Sequence, residues 1–229
     1  MKTKSLLLLG LSSLPAAAGA TTPLRPVLPN EVPAGMAYDV KPDEVADSRE
    51  LRGYRIAVLA SHGVQDIELE FPLRDLEARG ARVDVYAPSW VGSRVLLVDF
   101  VKPTKWAPVR GALERLRPSD YDLLLVPGGA WSTQVLRKDA KALETLLAFH
   151  RLRKTIAIIC SGAQVLIDSG LAKGRDVTGT PSVRADLENA GGRYLDQPVV
   201  RSGNLIMSRS PGDLVEFTRA VRETLATRR

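Results

Sequence analysis

The 229-residue chain carries one cysteine and two histidines, and aromatic residues make up only 5% of it. One cysteine excludes an intramolecular disulfide and any multi-cysteine zinc site. With His62 and His150 as the only imidazoles, a histidine-rich metal centre is excluded too. Glycine (18) and proline (15) are too few for collagen-like or low-complexity classes. Neither charge sign dominates: 32 basic residues against 26 acidic ones leave a net +6. The basic residues fall in short clusters, such as Arg151, Arg153, Lys154 and Arg228, Arg229. No basic stripe is interleaved with aromatics, so no nucleic-acid partner is expected. What is present is ordinary globular material, 45% hydrophobic and 25% charged. The length suits one domain plus a tail, with a core that needs no staple.

Residues 1–20 read as a signal peptide. Lys2 and Lys4 form a positive start, Ser5 to Leu14 an apolar stretch, and Ala18-Gly19-Ala20 a small-x-small cleavage site. The apolar stretch falls short of the roughly 20 residues a lasting bilayer span needs. An uncleaved anchor or a start codon placed too far upstream are the alternatives. Cleavage near Ala20, a periplasmic or secreted location and no stable membrane insertion are the expectation. Residues 21–52 read as a linker: Pro23, Pro26, Pro29, Pro33 and Pro42 break any period, and the polar run Asp43 to Arg52 ends the stretch. The folded domain is expected over 53–229.

Within it, apolar strands alternate with helical spacings. Strands are expected at Tyr54–Ala60, Val83–Ala87, Leu96–Val101, Leu123–Val126 and Thr155–Ile159. Leu69, Leu73 and Leu76 recur at helical spacing, and Gly80 closes that helix. Leu113 and Leu116 suggest one amphipathic turn. Further helices are expected over 140–152, over 163–169, after a Ser182 cap over 183–190, and from a Ser210 cap with Pro211 and Asp213 to about Ala226. Val199-Val200 and Leu205-Ile206-Met207 flank Ser202-Gly203-Asn204 as a hairpin. The pattern implies an α/β fold, a flavodoxin/Rossmann-like three-layer sandwich with a mostly parallel sheet.

In such a sheet, sites form beyond the carboxyl ends of the strands. Gly63 to Glu68, Gly128-Gly129 and Cys160-Ser161-Gly162 all belong to that edge. Cys160 sits between a strand and a helix, the position of a nucleophile elbow, at a helix start that would favour its thiolate. Backbone amides near Gly129 and Ser161 could hold an oxyanion. The alternative is an inert buried cysteine at a strand end.

The segments Gly63-Val-Gln-Asp-Ile-Glu-Leu-Glu-Phe-Pro72, Asp122-Leu-Leu-Leu-Val-Pro-Gly-Gly129, Ile158-Ile-Cys-Ser-Gly-Ala-Gln-Val-Leu166 and Ser208-Arg-Ser-Pro-Gly-Asp-Leu214 together resemble the ThiJ/PfpI family, of the class I glutamine-amidotransferase-like fold. The resemblance covers about residues 54–226. It implies that Cys160 is the reactive cysteine and Glu68 the acid that hydrogen-bonds and tunes it. It also implies that Gly128, Gly129 and Ser161 form the backbone around the oxyanion pocket. It further implies a small carbonyl substrate, no cofactor, no metal, and a homodimer or larger homo-oligomer. Three positions depart from the PfpI-type pattern: Ser161 stands where a histidine is usual, Gln65 where an acid is common, and Thr180 where an aromatic is common.

His62 could replace that imidazole or be a solvated loop histidine. Trp131 could wall a pocket or an interface, and His150 complements a helix dipole. The leading function is an exported enzyme of the glyoxalase or deglycase type, active in stress protection. Alternatives are a redox-sensing thiol or catalytically degenerate binding module, and a PfpI-type cysteine peptidase.

Overall fold

A computed structural model describes residues 40–227. The signal-peptide reading, and the linker reading as far as residue 39, lie outside the described residues. Strand β1 (Arg55–Leu59) is followed by the two-residue β2 (Val64–Gln65), which runs straight into α1 (Asp66–Ala78). Next come β3 (Arg82–Ala87), the hairpin of β4 (Arg94–Asp99) and β5 (Lys102–Pro108), and the short β6 (Gly111–Ala112). The second half opens with β7 (Leu123–Val126), α2 (Ala130–Leu136), α3 (Ala140–Arg151) and β8 (Thr155–Ile159). It continues through α4 (Val165–Asp168), β9 (Asp176–Val177), α5 (Arg184–Asn189) and β10 (Arg193–Tyr194). It ends with β11 (Val199–Ser202), β12 (Leu205–Ser208) and α6 (Leu214–Ala226).

The main sheet has the order β11-β12-β8-β7-β1-β3-β6. Only β11 runs antiparallel to its neighbour. Strands β7 and β8 are buried along their whole length, because helices cover both faces of a parallel sheet. One core lies under α3, α4 and α5, built on Leu146, Phe149, Leu166 and Leu187. The other lies under α1 and α6, built on Leu69, Leu76, Phe217 and Val221. From β1 the chain winds first towards β3 and β6, then through β7 towards β8 and β12. The strand order therefore reverses between β1 and β7, and a crevice opens at their carboxyl ends.

The structure adds elements that the sequence pattern does not announce: α2, β2 and β5. Strands β2, β4 and β5 form a second, three-stranded sheet beside the main one. Two expected caps also differ. The helix at 184–189 starts beyond a 3₁₀ turn, Pro181–Val183, so Ser182 is not its cap. Ser210 precedes another 3₁₀ turn, Pro211–Asp213, and makes no side-chain cap. The Asp213 carboxylate instead accepts both Nε and Nη2 of Arg209.

The linker boundary at residue 52 is corrected as well. Leu51 is fully buried, and residues 43–52 are docked by charge. Arg79, itself 1% exposed, donates to the Asp43 and Glu44 carbonyls, to Glu50 and to Asp75. Arg222 adds ion pairs to Asp43, Glu50 and Asp75. A buried ion network is costly to break from one side, because the partner charges stay in the interior. Arg79→Ala is therefore expected to lower the unfolding free energy by about 3 kcal/mol. Urea denaturation checks this, and a loss under about 1 kcal/mol would mean the network carries little.

Candidate active site

β8 ends at Ile159, and Cys160 opens a 3₁₀ turn that leads into α4. Cys160 has φ +61°, a left-handed conformation that costs a side-chain-bearing residue about 1–2 kcal/mol. The turn lifts its side chain above the sheet edge, which is the geometry of an elbow. Neighbouring loops hold it there. The Thr180 N–H donates to the Cys160 carbonyl at 3.3 Å, so Thr180 reaches the site through its backbone. The Ser161 hydroxyl lies 3.3 Å from that of Thr133, a fully buried residue on α2.

Glu68 comes from the first turn of α1 and is completely buried. Its Oε2 accepts the Gly128 N–H at 2.8 Å. Its Oε1 has no partner of good hydrogen-bond geometry, and the Cys160 thiol is near enough to interact with the carboxyl. Burial pushes the Glu68 carboxyl up to about 7, against the pull of Cys160 and the Gly128 amide. Burial likewise pushes the Cys160 thiol well above its ordinary value, helped by the adjacent Glu68 charge. The Ser161 N–H and hydroxyl act the other way, but more weakly. Desolvation thus opposes the thiolate that the turn's amides favour, and Cys160 and Glu68 titrate as a coupled pair.

Two glycines make this approach possible. A Cβ on Gly128 would lie 2.6 Å from Glu68 Oε2 and 2.9 Å from Cys160 Cβ. Gly129, at φ +97°, abuts the 63–65 backbone so closely that a Cβ would meet the Gly63 carbonyl oxygen at 2.3 Å. The Gly128 amide is spent on Glu68, which leaves Gly129 and Ser161 as the nearby amides for an oxyanion.

The remaining singled-out residues fall as follows. His62 is neither a solvated loop residue nor shown beside the sulfur. Its Nδ1 accepts the Leu96 N–H at 3.0 Å, and its ring meets Trp90 and Trp106 edge-on. It anchors the β4–β5 hairpin. Trp131 starts α2 above Gly63 with its ring largely in solvent, 71% exposed. Gln65, singled out in the sequence only as a departure from the family pattern, is a buried tie. Its Oε1 accepts the Phe100 N–H and its Nε2 donates to Asp99, a pair of roles that no carboxylate can fill. Thr133 was missed, since a threonine on a short unexpected helix carries no sequence signal. Among the described residues, no group of three His, Cys, Asp or Glu side chains is gathered as a metal ion would require.

A profile of the DJ-1/PfpI family matches residues 54–224. The chain belongs to the DJ-1/PfpI family. A Bacillus subtilis relative named "Putative cysteine protease YraA" is 39% identical over 168 residues, covering 72% of this chain and 94% of its own. A Thermococcus kodakarensis deglycase is 33% identical over 165 residues, covering 72% of this chain and 95% of its own. Among solved structures, Schizosaccharomyces pombe DJ-1 superimposes with a TM-score of 0.67 at 26% identity, covering 74% of this chain and 90% of its own. The family match over residues 54–224 takes in the elbow, the Gly128-Gly129 turn and the α1 segment that bears Glu68.

Proposed function

We propose that the chain is an exported, cysteine-dependent enzyme of the glyoxalase or deglycase type, acting on reactive carbonyl compounds in stress protection. The observation that carries the reading is Cys160 on a strained elbow, facing a fully buried carboxyl that titrates near neutrality. A group poised at about pH 7 can both take and return a proton under working conditions. Ionised Glu68 takes the Sγ proton as sulfur attacks an aldehyde carbon. The carbonyl π pair moves onto oxygen, which the Gly129 and Ser161 amides receive. Glu68 returns the proton to that oxygen, and a hemithioacetal results. With a dicarbonyl such as methylglyoxal, Glu68 then takes the carbon-bound proton, and the C–H pair becomes the C=C bond of an enediol as the neighbouring carbonyl oxygen is protonated. A proton is returned to the neighbouring carbon as the first hydroxyl gives up its own and becomes a carbonyl. The thioester so formed is hydrolysed by one water to a 2-hydroxy acid, which frees Cys160. The deglycase name of one relative supports this class of substrate.

Because the chain has one cysteine, alkylation addresses a single atom. Methylglyoxal consumption, followed by loss of the dicarbonyl, is expected in the untreated protein. It is expected to vanish once iodoacetamide has added one carboxamidomethyl group to Cys160, as judged by intact mass. Equal consumption by the alkylated protein would sink the reading.

A further inference from the structure

At the opposite edge of the sheet lies a second concavity, about 620 Å³ in volume, lined by His150, Arg151, Arg153, Arg175, Gly203 and Asn204. These residues flank the amino ends of β8 and β12, whereas Cys160 stands at the carboxyl ends. None of the six lining residues is acidic. Arg151 and Arg175 contact no carboxylate within 4 Å among the described residues. Half-buried Arg175 is aimed by a relay of defined direction. The Asn204 amide nitrogen donates to the Lys154 carbonyl at 2.6 Å, so Asn204 Oδ1 is an acceptor. It faces His150 Nδ1 at 2.8 Å and so takes that nitrogen as its donor, which leaves Nε2 as the acceptor for a guanidinium that can only donate. Arg175 Nη2 donates to that nitrogen at 3.2 Å. The other guanidinium nitrogens stay available, and Nη1 lies beside Gly203.

A simpler role for these cations would be to complement the carboxyl end of α3. Three carbonyls of that end are already satisfied: those of Ala148, Phe149 and His150 accept the amides of Leu152, Lys154 and Arg153 respectively. The Lys154 ammonium is turned away, onto the carbonyls of Pro118, Ser119 and Tyr121. What converges on the concavity is guanidinium, and the planar fork of arginine matches tetrahedral oxyanions through paired N–H bonds.

We propose that this concavity binds a phosphate group, either free or carried by a small phosphomonoester. Recognition runs through Arg175, positioned by His150 and Asn204, with Arg151 supplying a second guanidinium at the rim. The site is separate from Cys160 and does not depend on its chemistry.

The test is isothermal titration of the full chain with inorganic phosphate and with phenyl phosphate, against sodium acetate and sodium chloride at matched ionic strength. Saturable one-to-one binding of phosphate is expected, unchanged when Cys160 has been alkylated. Equal affinity for both probes would identify the free ion as sufficient, and tighter phenyl phosphate would identify an ester. Arg175→Gln removes a charge-assisted contact and is expected to weaken binding by at least about tenfold. Arg151→Gln changes an exposed side chain, so its fold is not at risk, and it too should weaken binding. Acetate and chloride heats equal to those of phosphate, no saturable binding, or full affinity in both variants would each overturn the proposal.

Discussion

Glu68→Gln is expected to lower the catalytic rate by about 10²–10⁴-fold while making the protein harder to unfold above neutral pH. Glutamine copies the shape of the protonated acid. Its oxygen can accept the Gly128 amide as Glu68 Oε2 does, and its amide nitrogen can face the sulfur. It cannot carry a proton from sulfur to a substrate oxygen. In the native protein kcat/KM should rise as pH passes through about 7, where Glu68 ionises. The profile belongs to the Cys160–Glu68 pair rather than to either group alone. In the variant that rise should disappear. A variant that keeps the native rate and the native pH profile would remove Glu68 from the chemistry.

The stability effect follows from the same carboxyl. Its folded value of about 7 stands above the ordinary 4.5. Between those values the folded state holds a proton that the unfolded state has lost, so stability falls as pH rises through the interval. Below pH 4.5 nothing is lost, and above pH 7 the full cost applies. The gap corresponds to about 3 kcal/mol. The Gln variant lacks this term. Its Tm relative to the native protein should therefore improve by about 6–12 °C between pH 4.5 and pH 8. A pH-independent Tm difference would contradict the burial argument. Catalysis and stability pull in opposite directions at this residue, because the desolvation that brings Glu68 to a useful pKa also penalises its ionised form.

Much of this arrangement is legible from the sequence, and the illegible parts share a cause. Strands β1, β7 and β8 are apolar runs, so period and composition reveal them, and the elbow follows from where β8 stops. Strand β5 is Lys-Pro-Thr-Lys-Trp-Ala-Pro, almost wholly exposed and paired only with β4. Proline and lysine are compatible with an edge strand but do not signal one. Helix α2 buries Ser132, Thr133 and Leu136, so its inner face carries no apolar stripe. The run from Asp43 to Arg52 reads as a solvated tail because it is polar. Its partners, Arg79 on α1 and Arg222 on α6, become neighbours only when the two helices pack side by side. Cys160 can be proposed from the strand-to-helix turn, but Glu68 is 92 positions away and needed a family likeness to be paired with it. Gln65 was noticed as a departure from a pattern, and its reason, one donated and one accepted hydrogen bond, exists only in three dimensions.

Gly129→Ala should show how tightly the two halves of the site are pressed together. The new methyl would meet three backbone atoms: the Gly63 oxygen at 2.3 Å, the Gln65 nitrogen at 2.5 Å and Val64 Cα at 2.7 Å. No side chain can rotate away, so a loop must move. The φ of +97° adds a conformational cost of about 1–2 kcal/mol, and overpacking adds about 1–3 kcal/mol. The expected sum is about 2–5 kcal/mol, or a Tm lowered by roughly 4–20 °C. Gly53→Ala separates the two contributions: its φ is +91° but no atom lies within 4 Å of the new methyl. That control should lose only the conformational part. The same displacement opens the site, because the 63–65 loop leads directly into the first turn of α1 and so carries Glu68. A shift near 1 Å between Glu68 and Cys160 is enough to cost about 10²-fold in rate. Activity in Gly129→Ala should therefore fall even at temperatures where the variant is fully folded. Near-native activity with a Tm within about 2 °C of the parent would mean that the close contact at Gly129 does not set the geometry of the site.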